Sequence, residues 1–213
     1  MSELRYEGPD TPSAAPSVFA RQGYIIEHGL ITQPLIEFFW SYLQTKFASL
    51  LLPTADPQIP NTPSIHGDSL FDGLLEYLRP RVEALSERRL FPTYSYCRLY
   101  KRGDVLKRHR DRPACEISLS LNIGQTPSAS WPLHIEGKAG HFAAYLLPGD
   151  ALLYRGIDCP HWRDPFEGDQ LAQVFLHYVD RYGPHADQKF DGRPSLMRPR
   201  EHNATQEDQA AKE

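Results

Sequence analysis

The stretch LYKRGDVLKRHRDRPACEISLSLNIG, residues 99–124, places His109 and Asp111 two residues apart between two segments of β texture. In a strand, residues i and i+2 point to the same face. An imidazole and a carboxylate would then be offered to one point. The pair is either a surface ion pair or half of a metal clamp. Its neighbours Lys107, Arg108, Arg110 and Arg112 are basic. Such residues either solvate a strand edge and discourage edge pairing, or form a charged rim.

A clamp needs a third ligand from a neighbouring strand. Two histidines and one carboxylate, with positions left open, suit non-haem Fe(II). The triple itself says little, because it occurs three times: His66-Gly67-Asp68, His109-Arg110-Asp111 and His185-Ala186-Asp187. The first lies in a Pro-rich loop, where Asp68 more simply caps the following helix. The third lies in a polar segment beside Gly183-Pro184. The middle one ends a β segment and precedes another, so context selects it. The candidate third ligand is His161, in YRGIDCPHWRDPF; its alternative reading is a half-buried structural histidine beside Trp162. His134, His141 and His177 are rivals, and His177 in VFLHYV reads as core.

Outward from this stretch, residues 1–16 read as a flexible arm. Residues 17–90 read as a helical N-terminal part that packs on a barrel. It opens with a short strand at Gly23–Glu27, followed by a helix that has Pro34 in its first turn and Leu35, Phe38, Phe39, Tyr42, Leu43 and Phe47 at helical spacing. A Pro-rich loop follows, of the kind that borders binding sites. A second helix spans about Ser69–Glu87, where Pro80 is expected to end or kink it. Residues 91–183 alternate in short strands, seven or eight of them, with Pro148-Gly149 as a turn pair between two. Residues 184–213 are polar and read as a partly disordered tail. The fold class is therefore mainly β with flanking N-terminal helices, a sandwich or barrel.

The 213 residues carry a formal net charge of -4, with 40% hydrophobic residues. That composition is globular, and the acidic balance argues against a nucleic-acid binder held by charge. Cys97, Cys115 and Cys159 show no CxxC spacing and are odd in number, which fits reduced thiols in a cytoplasmic protein. No apolar run approaches a membrane span, and the first residues lack a signal-peptide core.

Residues 93–180 resemble the double-stranded β-helix (a jelly-roll, cupin-like barrel) of the Fe(II)- and 2-oxoglutarate-dependent oxygenases, most of all their prolyl-4-hydroxylase-like and alkylation-repair-like branches. The pattern YxxGxxxxxHxD occurs as Tyr100, Gly103, His109 and Asp111, LLPGDALLYRG resembles the turn before the distal strand, and FARQGYIIEHGL resembles the usual opening strand. The resemblance implies that His109, Asp111 and His161 ligate Fe(II), with 2-oxoglutarate and O2 as co-substrates. It implies that Tyr100 hydrogen-bonds 2-oxoglutarate.

One feature departs from the family. Its members usually carry an Arg or Lys about ten residues after the distal histidine, to pair with the distal carboxylate. Here Gln170 and Leu171 stand there. Arg98, two residues before Tyr100, and Arg163, two after His161, are the substitutes, each sharing a strand face with its neighbour. For Arg163 the alternative is a rim ion pair with Asp164 or Glu167. The implied reaction is hydroxylation of a small-molecule, amino-acid-like or peptide substrate, anionic in view of the basic rim, approached near the 53–68 loop, Arg110, Arg112 and Trp131. A cupin-like metalloenzyme that does not use 2-oxoglutarate and a metal-free β-barrel binding module are the other readings.

Overall fold

The computed structural model describes residues 17–49, 56, 58–125 and 131–198. The expected arm at 1–16 and the last residues of the expected tail, 199–213, lie outside this range. Two antiparallel sheets face each other. The larger has six strands in the order β1 (Tyr24–Glu27), β8 (Ala151–Tyr154), β5 (Ile117–Gln125), β10 (Gln170–Asp180), β3 (Leu90–Lys101), β2 (Ser64–His66). The smaller runs β4 (Leu106–His109), β9 (His161–Arg163), β6 (Leu133–Gly137), β7 (Gly140–Ala144). The two outermost strands of the large sheet, β1 and β2, come from the N-terminal part. That part thus completes the sheet as well as covering it.

Alternation explains both layers of core. Along β10, Ala172, Val174, Leu176 and Tyr178 face outward and pack under helices α2 (Gln33–Ser49) and α3 (Ser69–Ser86), against Phe39, Leu43, Phe71, Leu75 and Leu78. Leu171 and Phe175 face inward, where they meet Leu106, Leu133, Ile135 and Ala144 of the small sheet. The inward positions Gln173 and His177 are polar and buried. A polar strip in an apolar sandwich is costly unless partnered, and it marks the part of the interior that serves something other than packing.

The helices begin and run for identifiable reasons. Asp68 caps α3, its carboxylate accepting from the N–H groups of Leu70 and Phe71. Pro80 does not end α3, which continues to Ser86. Pro80 is exposed, so the carbonyl it leaves unpaired reaches water, while Leu75, Leu78 and Val82 stay buried on the other side. In α2 the buried stripe is Ile36, Phe39 and Leu43. Leu35 and Phe38, expected in the stripe, face solvent at 37% and 53% exposure. Gly149, with φ +90, supplies the left-handed position of the turn into β8, and the Asp150 N–H closes it on the Leu147 carbonyl at 2.9 Å.

The segment 184–198, polar in sequence, folds back on the large sheet. Arg193, buried, donates to Asp72 at 2.7 Å and to the Thr93 carbonyl at 3.0 Å. Asp72 also accepts from Ser95 Oγ at 2.8 Å and the Met197 N–H at 2.9 Å. Burial works against this carboxyl, but Arg193 and the Met197 N–H outweigh it and hold it below its usual value. Removing one partner of a buried pair leaves an uncompensated charge, so Asp72→Ala should cost about 3–5 kcal/mol in urea unfolding. A depressed carboxyl stabilises above its unfolded value and loses that contribution as pH falls through the folded one. The difference between wild type and Asp72→Ala should therefore be full at neutral pH and shrink in acid.

Candidate metal centre

Strand pairing assembles the clamp. His109 stands directly opposite His161 in the β4–β9 ladder. Their rings lie 4.2 Å apart. Strand β4 ends at His109, so Asp111 sits just beyond it rather than in it. Its N–H bonds the Gly156 carbonyl at 3.0 Å, which turns the chain inward. Asp111 Oδ1 then lies 3.6 Å from His109 Nε2 and 3.5 Å from His161 Nε2. The three ligand atoms fall within 4.8 Å of one another. Gly156 is needed for this: a Cβ there would collide with Asp111 Oδ2 and with the Cys115 carbonyl.

Both imidazoles are oriented for metal. His109 Nδ1 donates to the Lys107 carbonyl at 2.8 Å and His161 Nδ1 to the Cys159 carbonyl at 3.0 Å. That fixes Nε2 as the lone-pair nitrogen on each ring. Burial lowers the pKa of His161 and would lower that of His109, but hydrogen bonding of His109 to Asp111 and to the Lys107 carbonyl raises it overall. Burial also opposes ionisation of Asp111, yet His109 and the nearby His161 and His177 hold it below the usual range.

The site opens on a cavity of about 640 Å³ between the sheets. Tyr94, Tyr96, Arg98 and Tyr100, alternate residues of β3, all line it. Asp56 and Gln58 reach in from the Pro-rich loop. The Asp56 carboxylate accepts from Tyr96 Oη and Arg98 Nη2. Gln58 Nε2 donates to His109 Nε2 at 2.7 Å, the lone pair that a metal would use. Arg112 lines the cavity with its guanidinium bound on two sides by Asp191, at 2.5 and 2.8 Å. Arg110 also lines it.

Arg163 does not form the rim ion pair considered from sequence. It is 2% exposed and points inward, donating to the Trp131 carbonyl at 2.6 Å and to Gln173 at 3.4 Å. Asp164 instead pairs with His134. No carboxylate among the described residues pairs with Arg163, and burial pulls its pKa below the usual guanidinium value. Its Nε has no hydrogen-bond partner among those residues, nor does Arg98 Nε or Tyr100 Oη, all three being buried. The two guanidinium carbons lie 5.5 Å (Arg98) and 5.8 Å (Arg163) from the Tyr100 ring centroid. Trp131, expected near the mouth, instead packs edge-on against Tyr100 at the buried end.

Sequence reasoning missed several residues. His177, read as core, is buried but lines the cavity, with burial lowering it to about 4. Ser118 Oγ lies 3.1 Å from Asp111 Oδ2 and 2.9 Å from His177 Nδ1. The inward alternation of Ser118, Ser120 and Asn122 on β5 was the available signal. His134 and His141 lie away from the clamp, on the small sheet, stacked on Trp162.

No protein-family model matches the chain, and no curated protein matches it by sequence. Solved structures do match in fold. A prolyl-4-hydroxylase from Pseudomonas putida superposes with a TM-score of 0.61 at 15% identity, covering 78% of this chain and 96% of its own. SnoN, a non-haem alpha-ketoglutarate-dependent epimerase of nogalamycin biosynthesis, gives 0.65 at 13%, covering 85% and 89%. HygX from Streptomyces hygroscopicus, solved with nickel and 2-oxoglutarate, gives 0.62 at 13%, covering 78% and 85%. The chain shares the fold of these proteins.

Ser118 bears on the clamp through Asp111. Groups that orient a ligand change metal affinity by about 10–100-fold when removed. Ser118→Ala should therefore weaken Mn(II) binding by at least about tenfold, read by anaerobic calorimetry. Melting should remain cooperative.

Proposed function

We propose that the chain is a non-haem Fe(II)- and 2-oxoglutarate-dependent oxygenase, with residues 91–183 as a double-stranded β-helix core. The observation that carries this reading is the buried Arg163, without a carboxylate partner among the described residues, beside the Tyr100 hydroxyl, likewise unpartnered among them, in the same interior as a His-Asp-His clamp. A buried cation without a counter-ion costs several kcal/mol, so the protein keeps it for an anion that arrives later. The neighbours in fold agree in type, since one is a prolyl-4-hydroxylase and another holds nickel and 2-oxoglutarate.

The residues present fit these groups. His109, Asp111 and His161 would hold the iron, each Nε2 and the carboxylate being free of competing backbone bonds. Arg163 and Tyr100, with Arg98, would take the distal carboxylate of 2-oxoglutarate in place of the cation absent at Gln170 and Leu171. With both bound, the centre supplies oxidation of a substrate C–H bond by O2, releasing succinate and CO2. Leu106, Leu133 and Tyr154 line the cavity beside the clamp. A metal on His109 Nε2 would take the place of the Gln58 bond, and a carboxylate reaching Arg98 would share it with Asp56. His66, Tyr94, Arg110 and Arg112 line the remaining wall, where a small-molecule, amino-acid-like or peptide substrate carrying an anionic group would be hydroxylated.

The test is anaerobic loading with Fe(II), then addition of 2-oxoglutarate and O2, with succinate measured. Metal-dependent succinate that disappears in Asp111→Ala supports the reading. Tight metal binding without succinate, and without 2-oxoglutarate binding to the Mn(II) form, sinks it. A hydrogen bond to a charged group contributes about 1.5–3 kcal/mol. Arg163→Met should therefore weaken 2-oxoglutarate binding by about 10-fold or more. The same variant should melt at or above the wild-type temperature without ligand, because it removes an uncompensated buried charge.

A further inference from the structure

The cavity holds a second set of metal-binding groups beside the first. Asp111, Cys115 and His177 each offer one ligand atom, and these atoms lie within 4.8 Å of one another. Cys115 and His177 are buried and line the cavity. The two oxygens of Asp111 have different neighbours. Oδ1 lies near His109 and His161, whereas Oδ2 lies by Ser118, which reaches His177. We propose that Asp111, Cys115 and His177 form a second cation site, for a thiophilic divalent ion of the Zn2+ class, joined to the first through the shared carboxylate.

The donor chemistry selects the ion. Sulfur, imidazole and carboxylate together make a borderline-soft set, which suits Zn2+ better than the sulfur-free set of His109, Asp111 and His161 does. The nearby cation does not oppose it strongly, because Arg112 is neutralised by its two bonds to Asp191. The Cys115 sulfur lies 3.0 Å from Tyr94 Oη, which holds it on the cavity wall. Cys97 belongs to the core under the helices and Cys159 lies at the other end of β9's lead-in, so neither lines this cavity. On binding, the Cys115 thiol gives its proton to solvent as the metal–sulfur bond forms, with no change of oxidation state.

Co2+ serves as the probe, since it takes the same ligands and reports sulfur ligation by an intense near-ultraviolet charge-transfer band. The full chain is titrated with Co2+ without oxygen. The set His109, Asp111 and His161 contains no sulfur, so a band in the wild-type protein reports a thiol ligand, and its loss in Cys115→Ser assigns it to the second set. We expect the band in wild type, its loss in Cys115→Ser, and its retention in Cys159→Ser and in His109→Ala/His161→Ala. Absence of the band in Co2+-treated wild-type protein overturns the proposal, as does a band that survives Cys115→Ser. A wild-type titration without a band overturns the proposal even where a variant does not fold. Succinate formation is measured separately, so this site can fail while the oxygenase reading stands, and the reverse.

Discussion

Everything at the centre depends on one register, His109 opposite His161 in the short ladder between β4 and β9. That pairing brings the two imidazoles together, 4.2 Å between ring centres and tilted by 56°. It would be useless with the carboxylate elsewhere. Asp111 reaches the same point only because the backbone at Gly156 leaves room for it and accepts its N–H. Preorganisation of this kind is what a metal site needs, since ligands held in place lose little freedom on binding.

The large sheet serves the same centre from the opposite side. Strand β3 is long and its inward positions are Tyr94, Tyr96, Arg98 and Tyr100. Its partner β10 places His177, Phe175, Gln173 and Leu171 against them in the same order. The interior therefore grades along its length. His177 and Cys115 lie at one end, the clamp in the middle, and Gln173, Arg163 and Tyr100 at the other. A sandwich held only by apolar packing would need none of these groups.

Much of this was legible in the sequence because strand alternation is local. The pairs His109/Asp111, Arg98/Tyr100 and His161/Arg163 are all separated by two, and each came out on a shared face or point. The turn at Pro148-Gly149 and the cap at Asp68 were equally local. What stayed hidden depends on contacts far apart in the chain. Gln58 meets His109 and Asp56 meets Arg98 only once the loop is laid over the sheets. Gly156 shows its purpose only against Asp111. The segment 184–198 looked like a tail because its apolar content is low, yet the buried Arg193, with the Met197 N–H, ties it to α3 and β3. Pro80 misled for the converse reason, since an exposed proline leaves its lost hydrogen bond to water.

Two buried arginines show how partner, rather than residue type, separates structure from function. Arg193 and Arg163 are both almost fully enclosed. Arg193 meets the Asp72 carboxylate and a backbone carbonyl, so its charge is balanced within the fold. Arg163 meets a carbonyl and an amide, both neutral, and keeps one N–H without a partner among the described residues. Folding gains nothing from that second arrangement, because a neutral side chain of similar size would pack there at lower cost. Under the proposed function an anionic ligand beside Tyr100, whose hydroxyl also has no partner among the described residues, would resolve the imbalance. Where a cation was expected, at the start of β10, stand Gln170 and Leu171, whereas Arg163 lies on β9 of the other sheet, on the face of His161. Under the proposed function, the same electrostatic requirement would be met from the opposite sheet.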